Sequence, residues 1–380
     1  MNKISKLEFY NTPKKSKIID LDLDTSKQFY VLTGFNGAGK SRMIKIIHET
    51  FSALRNKKFP SSVSRWSFQC TLSDGAKVRG LKMEQGAATK EEINRVFTEY
   101  FQEETSLAEA FNKTVSLVDR EVHAQYSNNG KEGILERFTG GGMILPGEVL
   151  KGRTGEEYAK NLNMIAYIDE AIHYNSPEKV VNSIIKGEQP DNTLDKTLAS
   201  LIHDFVLERA SADEFKQKVA DLLKLGGQTK KGFTQEKLKQ AIETAMKEMG
   251  PERNFENNAV FEELNGFYSM TNRKIIWFED AIHMDVPGEG IIPFIHFSKG
   301  EKTLLALLLT VFLNKDDTFF LLDEPDLSLH VEWQERLLPA LQRLAPNAQF
   351  IIATHSPFLI MNTQSEQVVN LAKIYKEQCA

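Results

Sequence analysis

The sequence predicts an α/β protein in which a largely parallel sheet with flanking helices is split by a mainly helical insertion. Two observations predict this fold class. Short apolar runs at residues 29–32, 319–322 and 350–353 are typical of strands that are buried on both faces of a sheet. Helical patterns follow the first two runs, and this alternation of strand and helix is characteristic of a parallel α/β core.

We expect three segments along the chain of 380 residues. Residues 1–88 would form the N-terminal part of the core, and residues 271–380 would form its C-terminal part. Residues 89–270 place their apolar side chains mainly at helical spacing, which predicts the insertion. One apolar stretch inside it, residues 164–168, is expected to return to the core as a strand.

The N-terminal segment contains strand and hairpin patterns. Apolar and acidic residues alternate over 19–24, which predicts a half-exposed strand before the buried run at 29–32. Apolar residues recur at helical spacing over 43–47. Residues 67–78 are expected to form a hairpin with its turn at Asp74-Gly75.

The middle segment contains two capping boxes that predict helix starts, Thr89 with Glu92 and Ser211 with Glu214. An amphipathic stripe over 194–205 predicts another helix. Three glycine-rich or polar stretches are predicted to be loops: Thr139–Gly142, Gly226-Gly227 and Gly250–Asn258.

In the C-terminal segment, strands are expected at 274–278 and 291–297, flanking a turn region that contains Pro287-Gly288. Residues 303–313 predict a helix. The apolar runs at 319–322 and 350–353, with an amphipathic helix between them, predict a βαβ unit.

Bulk composition excludes several classes of protein. A net charge of −5 argues against a protein that mainly coats nucleic acid. The N-terminus has no apolar signal region, and no apolar stretch is long enough to cross a membrane. Two cysteines far apart, Cys70 and Cys379, give no disulfide framework, which is typical of a reducing compartment. We therefore expect a cytoplasmic protein without a membrane partner.

Residues Gly34–Ser41 fit the phosphate-binding pattern G-x-x-x-x-G-K-[ST] between an apolar strand and a helix. Its glycines let successive backbone N–H groups point at phosphate oxygens, and the helix N-terminus favours the same anion. Lys40 is expected to bridge the β- and γ-phosphates, and the hydroxyl of Ser41 to join Mg²⁺. The predicted ATP contacts here are Gly34, Asn36, Gly37, Ala38, Gly39, Lys40, Ser41 and Arg42.

Two carboxylates, Asp323 and Glu324, end the apolar run at 319–322. The carboxyl ends of such strands form the ligand sites of α/β proteins. Asp323 suits the Mg²⁺ shell, and Glu324 suits the polarisation of an attacking water.

With these motifs in this order, the chain resembles the ABC-type ATPase family. Phe297–Glu301 is similar to the signature motif, with Ser298 and Gly300 at its informative positions. Asp326 matches the D-loop and would help the two sites communicate. His355 matches the switch histidine and would contact the γ-phosphate. The resemblance implies a P-loop core in which the signature of one protomer closes over ATP held by another, so an ATP-sandwiched homodimer is expected.

Three motifs have sequences similar to those of one branch of the AAA-family ATPases. They are GEK at 300–302, DEPDLSLH at 323–330 and ATHSPFLI at 353–360. That branch holds the overcoming-lysogenization-defect nucleases and is related to the RecF and SMC proteins. Many members carry a TOPRIM nuclease domain, which we expect to be absent because the chain ends soon after His355. The resemblance implies the sensor ATPase of an anti-phage defence system that controls a separate nuclease or toxin, held by the helical insertion.

Two other functions are alternatives. A DNA-repair or DNA-binding ATPase in the manner of RecF would use clustered lysines, namely Lys14, Lys15, Lys17, Lys57, Lys58, Lys230, Lys231, Lys237 and Lys239. The long insertion and the GEK sequence of the signature motif argue against a transporter ATPase subunit. A Q-loop glutamine is left open between Gln69 and the carboxylates at Asp169-Glu170. The adenine-contacting aromatic is left open among Phe9, Tyr10 and Asn11.

Overall fold

The structure is a computed structural model that describes residues 2–10, 18–54, 66–84, 95, 106–112, 138–145, 162–173, 192–209, 258–278, 281–316 and 318–377. The chain divides into two compact units. The first comprises Met1–Tyr174, Asp316–Leu327 and Asn347–Ala380, and the second comprises Asn175–Lys315 and Ser328–Pro346. The segments 1–88, 89–270 and 271–380 remain a prediction about the order of the sequence.

The elements are numbered in chain order. The strands are β1 (Ile4–Tyr10), β2 (Ile18–Asp22), β3 (Phe29–Thr33), β4 (Trp66–Leu72), β5 (Lys77–Glu84), β6 (Phe138–Leu145), β7 (Asn163–Ile168), β8 (Ala171–His173), β9 (Lys274–Phe278), β10 (Ala281–Val286), β11 (Gly290–Pro293), β12 (Thr318–Asp323), β13 (Gln349–Ala353) and β14 (Val368–Asn370). The α-helices with defined bounds are α1 (Lys40–Leu54), α2 (Thr193–Arg209), α3 (Ala259–Tyr268), α4 (Lys299–Leu313), α5 (Val331–Leu344), α6 (Pro357–Met361) and α7 (Leu371–Glu377).

The first unit contains a six-stranded sheet in the order β14-β3-β13-β12-β7-β8. Every neighbouring pair is parallel except β7 with β8. The predicted α/β class with a largely parallel sheet is therefore confirmed. The apolar run at 164–168 lies in β7 and pairs with β12, so a strand from the expected insertion does lie in the central sheet.

A second sheet of the first unit is antiparallel, in the order β2-β1-β4-β5-β6. The predicted hairpin is formed by β4 and β5, and Gly75 takes a φ of +84° in its turn. The prediction of a loop at Thr139–Gly142 is wrong, because these residues lie in β6 and pair along β5. Glycine weakens a strand by itself, but here the ladder of the neighbouring strand satisfies the backbone.

Helix α1 lies in the apolar cluster that joins the two sheets of the first unit. Its residues Met43, Ile44, Ile46 and Ile47 are fully buried with side chains of β1, β4, β7, β12 and β13. Gly80 of β5 allows α1 to approach the antiparallel sheet closely. A Cβ built on it would lie 2.2 Å from Oγ1 of Thr50, so the helix meets the sheet where a side chain is missing.

The second unit combines α2, α3, α4 and α5 with a three-stranded antiparallel sheet, β11-β10-β9. The predicted helices at 194–205 and 303–313 and the strand at 274–278 are confirmed. The strand expected at 291–297 is too long. It ends at Pro293, which has no N–H to continue a ladder, and residues 294–296 form a 3₁₀ turn. The expected turn region also contains a strand, β10.

Several expectations lie outside the described residues. They are the two capping boxes of the insertion, the Gly226-Gly227 loop, Gly250 to Asn257 of the third predicted loop, Cys379 and all the clustered lysines. Asn258 caps the N-terminus of α3, accepting hydrogen bonds from the N–H groups of Val260 and Phe261. Within the described part of the chain, no helix is long and apolar enough to cross a membrane.

Candidate functional site

The glycine loop connects the buried strand β3 to the N-terminus of α1. Gly37 and Gly39 have φ values of +79° and +93°, which residues with a Cβ rarely adopt. Gly34 also packs closely, because a Cβ there would lie 3.2 Å from the Cβ of Ala38 and 3.4 Å from the backbone nitrogen of Ala372. The loop therefore needs glycine for both conformation and space, and it leaves the first N–H groups of a 15-residue helix available for an anion.

Lys40 is the first residue of α1, and its side chain is buried. Its ammonium lies 3.3 Å from the carbonyl oxygen of Gly34 and 2.5 Å from Nε2 of His355. Burial lowers the pKa of Lys40, while the charges of Glu324 and Asp323 oppose that shift. The lysine thus points across the loop towards the carboxyl ends of β12 and β13.

Asp323 ends β12 and is 9% exposed. Burial is the main cause that raises the pKa of this carboxyl group, and a hydrogen bond from the Ser41 hydroxyl opposes it. Its Oδ1 atom is fully buried and has no hydrogen-bond partner among the described residues. A buried carboxylate oxygen without a partner is costly unless a cation is bound, so Ser41 and Asp323 fit a Mg²⁺ ion.

No group of three or more His, Cys, Asp or Glu side chains in the described part of the chain could hold a metal alone. Mg²⁺ in nucleotide sites is usually held by one or two protein groups together with phosphates and water. The residues present therefore fit an ion that arrives with a nucleotide.

Glu324 follows Asp323 in a left-handed conformation, with a φ of +48°. Its N–H donates to the carbonyl oxygen of Ala353 at 2.8 Å, and its Oε2 accepts from the N–H of His355 at 3.1 Å. Burial is the main cause that raises the pKa of this carboxyl group. The hydrogen bonds with Ala353 and His355 therefore hold Glu324 in one orientation despite its strained backbone.

Asp326 and His355 belong to the same unit as the glycine loop. Oδ1 of Asp326 accepts a hydrogen bond of 2.6 Å from the hydroxyl of Thr354, which joins the D-loop motif to the switch motif. Burial raises the pKa of Asp326. The structure thus brings together Lys40, Ser41, Asp323, Glu324, Asp326 and His355 in the first unit.

Ser298 and Gly300 lie in the second unit, at the start of α4. Ser298 caps this helix, and Glu301 completes a capping box by accepting from the N–H of Ser298 at 2.7 Å. The backbone of Glu301 also accepts a hydrogen bond of 2.9 Å from the buried hydroxyl of Tyr268. A Cβ on Gly300 would lie 2.5 Å from the carbonyl oxygen of Ser328.

Some residues near the site were not predicted from the sequence to be functional. Lys45 of α1 pairs with Asp169 at 2.8 Å, and Thr354 bonds Asp326. The helical spacing of Ser41 and Lys45 is a signal that could have placed Lys45 on the face of the glycine loop. Thr354 lies inside the quoted switch motif.

The two questions left open by the sequence are partly answered. Gln69 lies in the antiparallel sheet, where its amide bonds Glu8 and Arg79 at 2.6 Å each. Phe9 is fully buried against Phe68, and Tyr10 is 6% exposed, so neither presents a free ring face. Asn11 is outside the described residues.

A glycine loop between a buried parallel strand and a helix, facing a pair of carboxylates at the end of a nearby parallel strand, defines a P-loop ATPase domain. The chain belongs to the family described as "AAA domain, putative AbiEii toxin, Type IV TA system", whose model matches residues 165–362, just over half of the chain.

Two curated relatives are similar over short stretches. "Retron Ec83 probable ATPase" of Escherichia coli is 29% identical over 137 residues, covering 28% of this chain and 25% of the relative. "Retron Vc95 probable ATPase" of Vibrio cholerae serotype O1 biovar El Tor is 38% identical over 89 residues, covering 20% of this chain and 17% of the relative. The alignments thus span a quarter or less of the length of these relatives.

Solved structures similar to the chain include an Smc head domain from Pyrococcus furiosus bound to the C-terminal domain of ScpA. It is 15% identical with a TM-score of 0.44, covering 100% of this chain and 99% of that one. A structure of the recombination mediator protein RecF is 12% identical with a TM-score of 0.36, covering 97% of this chain and 98% of that one.

Proposed function

We propose that the chain binds Mg-ATP and hydrolyses it, and that ATP closes two copies into a head-to-tail dimer. The observation that carries this proposal is the convergence of Lys40, Ser41, Asp323, Glu324 and His355 at the carboxyl ends of β3, β12 and β13. These ends meet at one edge of the sheet, where α/β proteins bind ligands.

Each residue has a role suited to its position. The loop N–H groups and Lys40 bind and orient the phosphates. Ser41 and Asp323 would hold Mg²⁺, and the ion would neutralise phosphate charge. Glu324 orients the attacking water and accepts its proton, and burial raises the pKa of this base towards the pH at which it works. His355 exchanges its contact with Lys40 for one with the γ-phosphate.

The dimer completes the site. Ser298 and Gly300 would come from the partner protomer and close over the γ-phosphate, and Asp326 would connect the two sites. ATP then stabilises the dimer, and hydrolysis releases it, which makes the reaction a switch.

We further propose that this switch is the regulatory part of a bacterial antiviral defence system that controls a separate nuclease or toxin. The family description names a putative toxin, and two relatives are named as retron ATPases, which supports a role beside an effector. Purification together with the products of adjacent genes tests this role. It fails if none of them binds and cells without the protein resist phage equally well.

The ATPase proposal is tested with Glu324→Gln, Lys40→Ala and a matched control, Glu332→Gln, on the exposed start of α5. Glu324→Gln should bind ATP, lose at least about 100-fold in hydrolysis rate and accumulate as a dimer by light scattering. Lys40→Ala should lose ATP binding, and Glu332→Gln should behave as the wild type. Wild-type hydrolysis by Glu324→Gln would exclude this residue as the base. Salt-sensitive, ATP-dependent binding of duplex DNA would favour the DNA-binding alternative.

A further inference from the structure

The first turn of α4, which carries Ser298 and Gly300 at its start, also contains a buried lysine. Lys302 is 8% exposed, and its backbone N–H donates to the carbonyl oxygen of Ser298 at 2.9 Å. The positive end of the helix dipole disfavours a cation in the first turn, and burial of an ammonium group adds a further cost. A lysine at this position therefore needs an acidic partner.

That partner is a carboxylate of α2, the helix confirmed within the expected insertion. The ammonium of Lys302 lies 2.7 Å from Oδ1 of Asp195, and the two side chains are 11% and 7% exposed. Asp195 belongs to the first turn of α2. The side-chain amide of Asn192 donates to Oδ2 of Asp195 at 2.9 Å and accepts from its backbone N–H at 2.9 Å. The cap of α2 thus holds the carboxylate in the orientation that meets Lys302.

Helices α2 and α4 lie side by side and run in the same direction. The ion pair joins their first turns, and Phe205 and Phe312 follow ten residues after Asp195 and Lys302 respectively. The rings of these two buried phenylalanines have centroids 6.1 Å apart. Because buried contacts join the helices at both places, a displacement of α2 would be transmitted to the first turn of α4.

A second ion pair joins the same turn of α4 to the segment after α3. The guanidinium of Arg273 pairs with the carboxylate of Glu301, whose side chain is 6% exposed. The same carboxylate accepts from the N–H of Ser298, so the pair acts on the capping box of the signature motif. Two adjacent residues of this turn, Glu301 and Lys302, are therefore paired with opposite charges from two different segments.

A buried ion pair is by itself weak evidence for a role in stability, because the loss of hydration offsets much of the attraction between the charges. Removal of one partner leaves an uncompensated buried charge, whereas replacement of both partners by uncharged groups often leaves stability unchanged. A role of Asp195 and Lys302 in position can therefore be measured apart from a role in stability.

We propose that Asp195 is a positioning residue of the ATPase site, which acts through Lys302 to fix the first turn of α4 so that Ser298 and Gly300 fit the γ-phosphate held by a partner protomer. This inference rests on the proposed function, since the signature motif acts only in the ATP-closed dimer. The pair thereby links a helix of the expected insertion to hydrolysis. Loss of the pair should slow hydrolysis and leave ATP binding to the monomer unchanged, because the glycine loop belongs to the first unit.

The experiment compares Asp195→Asn, Lys302→Met and the double variant with the wild-type full chain. Each variant should lower kcat for ATP hydrolysis at least about 10-fold, because small misplacements of groups at a reacting centre have effects of this size. The affinity for the fluorescent analogue MANT-ATP, measured at a concentration at which the chain is monomeric, should be unchanged. Lys302→Arg keeps the charge and should retain most of the hydrolysis rate.

The matched control is Arg343→Gln. It removes an ion pair of the same unit, between Arg343 of α5 and Glu263 of α3, that includes no residue of α4. This variant should hydrolyse ATP as the wild type does. An equal loss of rate in Arg343→Gln overturns the inference, because the effect would then be one of any ion pair in the unit.

Thermal unfolding separates position from stability. The double variant removes both charges, so it should unfold near the wild-type temperature and still hydrolyse ATP slowly. Wild-type hydrolysis by the double variant overturns the inference and leaves the ATPase proposal intact, because the pair would then only neutralise a buried charge. Failure of the double variant to fold also overturns it, since the pair would then be required for the fold itself. Absence of MANT-ATP binding by the wild type overturns the ATPase proposal and this inference with it.

Discussion

The ammonium of Lys40 lies 2.5 Å from Nε2 of His355, although the two residues are 315 positions apart in sequence. An ammonium group can only donate, so Nε2 must accept and the imidazole must be neutral. Burial lowers the pKa of His355, and the charge of Lys40 lowers it further. The residue that starts α1 and the residue that follows β13 therefore form a contact that protonation of the histidine breaks.

This contact predicts a dependence of stability on pH. Because the pKa of His355 is lowered in the folded state, the unfolded chain binds more protons once the pH falls below the ordinary value of 6.5. The contribution of His355 to the free energy of unfolding is thus fully present above pH 6.5 and is lost as the pH falls through the lower folded-state pKa. Denaturant unfolding between pH 5 and pH 8 measures it.

The comparison variants are His355→Gln and His330→Gln, the latter at an exposed position before α5. Loss of stability on acidification should be smaller in His355→Gln than in the wild type, while His330→Gln should follow the wild type. Identical pH profiles for His355→Gln and the wild type would contradict the prediction.

Glu324→Gly separates the chemistry of this residue from its backbone strain. Glu324→Ala is the reference, because both variants lose the hydrogen bond from the N–H of His355 and only alanine keeps a Cβ. Glycine adopts the φ of +48° without the cost that a Cβ imposes, so its free energy of unfolding should exceed that of Glu324→Ala by up to about 1 kcal/mol. The same variant should lose ATP hydrolysis, because it has no carboxylate. Urea unfolding and a phosphate-release assay measure the two effects. Lower stability of Glu324→Gly than of Glu324→Ala would show that the conformation is not strained.

Gly300→Ala should destabilise the second unit by about 1–3 kcal/mol, because its Cβ would lie 2.5 Å from the backbone oxygen of Ser328, which cannot move aside as a side chain can. Gly266→Ala in α3 is the matched control, since its Cβ would have 3.9 Å to the nearest atom, on Arg336. Alanine should stabilise that helix by up to about 1 kcal/mol. Thermal unfolding of both variants measures the difference, and equal effects would refute the close approach at Gly300.

Gly80→Ala should destabilise the packing of α1 on the antiparallel sheet by about 1–3 kcal/mol, since its Cβ would lie 2.2 Å from Oγ1 and 2.8 Å from Cγ2 of Thr50. Thr50→Ala removes both atoms. In the double variant, Gly80→Ala should therefore cost at least about 1 kcal/mol less than it does alone. Unfolding of the two single variants and the double variant completes the cycle, and strictly additive effects would contradict the clash.

The parallel sheet could be predicted because its strands are local patterns. Continuous apolar runs at 29–32, 319–322 and 350–353 have no exposed face, and only a strand covered on both sides buries them fully. The prediction of a loop at Thr139–Gly142 is wrong because the strand formed there is not a local pattern. Its strand depends on the ladder offered by β5, more than 50 residues earlier in the chain, which no local pattern records.

The residues of the candidate site also divide into those that a local motif identifies and those that only a tertiary contact identifies. Lys40, Ser41, Asp323 and Glu324 could be named from the sequence, since each lies in a short motif at the end of a predicted strand or the start of a helix. Lys45 and Asp169 could not be paired, because their contact depends on the register of β7 against β12 and on the packing of α1.

The sequence by itself determined the class of fold, the phosphate-binding loop and the acidic pair, because these follow from residue type and spacing within a few positions. Only the tertiary structure decided that His355 contacts Lys40, that Lys45 pairs with Asp169, and that Gly300 packs on Ser328. These relationships join segments far apart in the chain, and strand register and backbone approach set their distances.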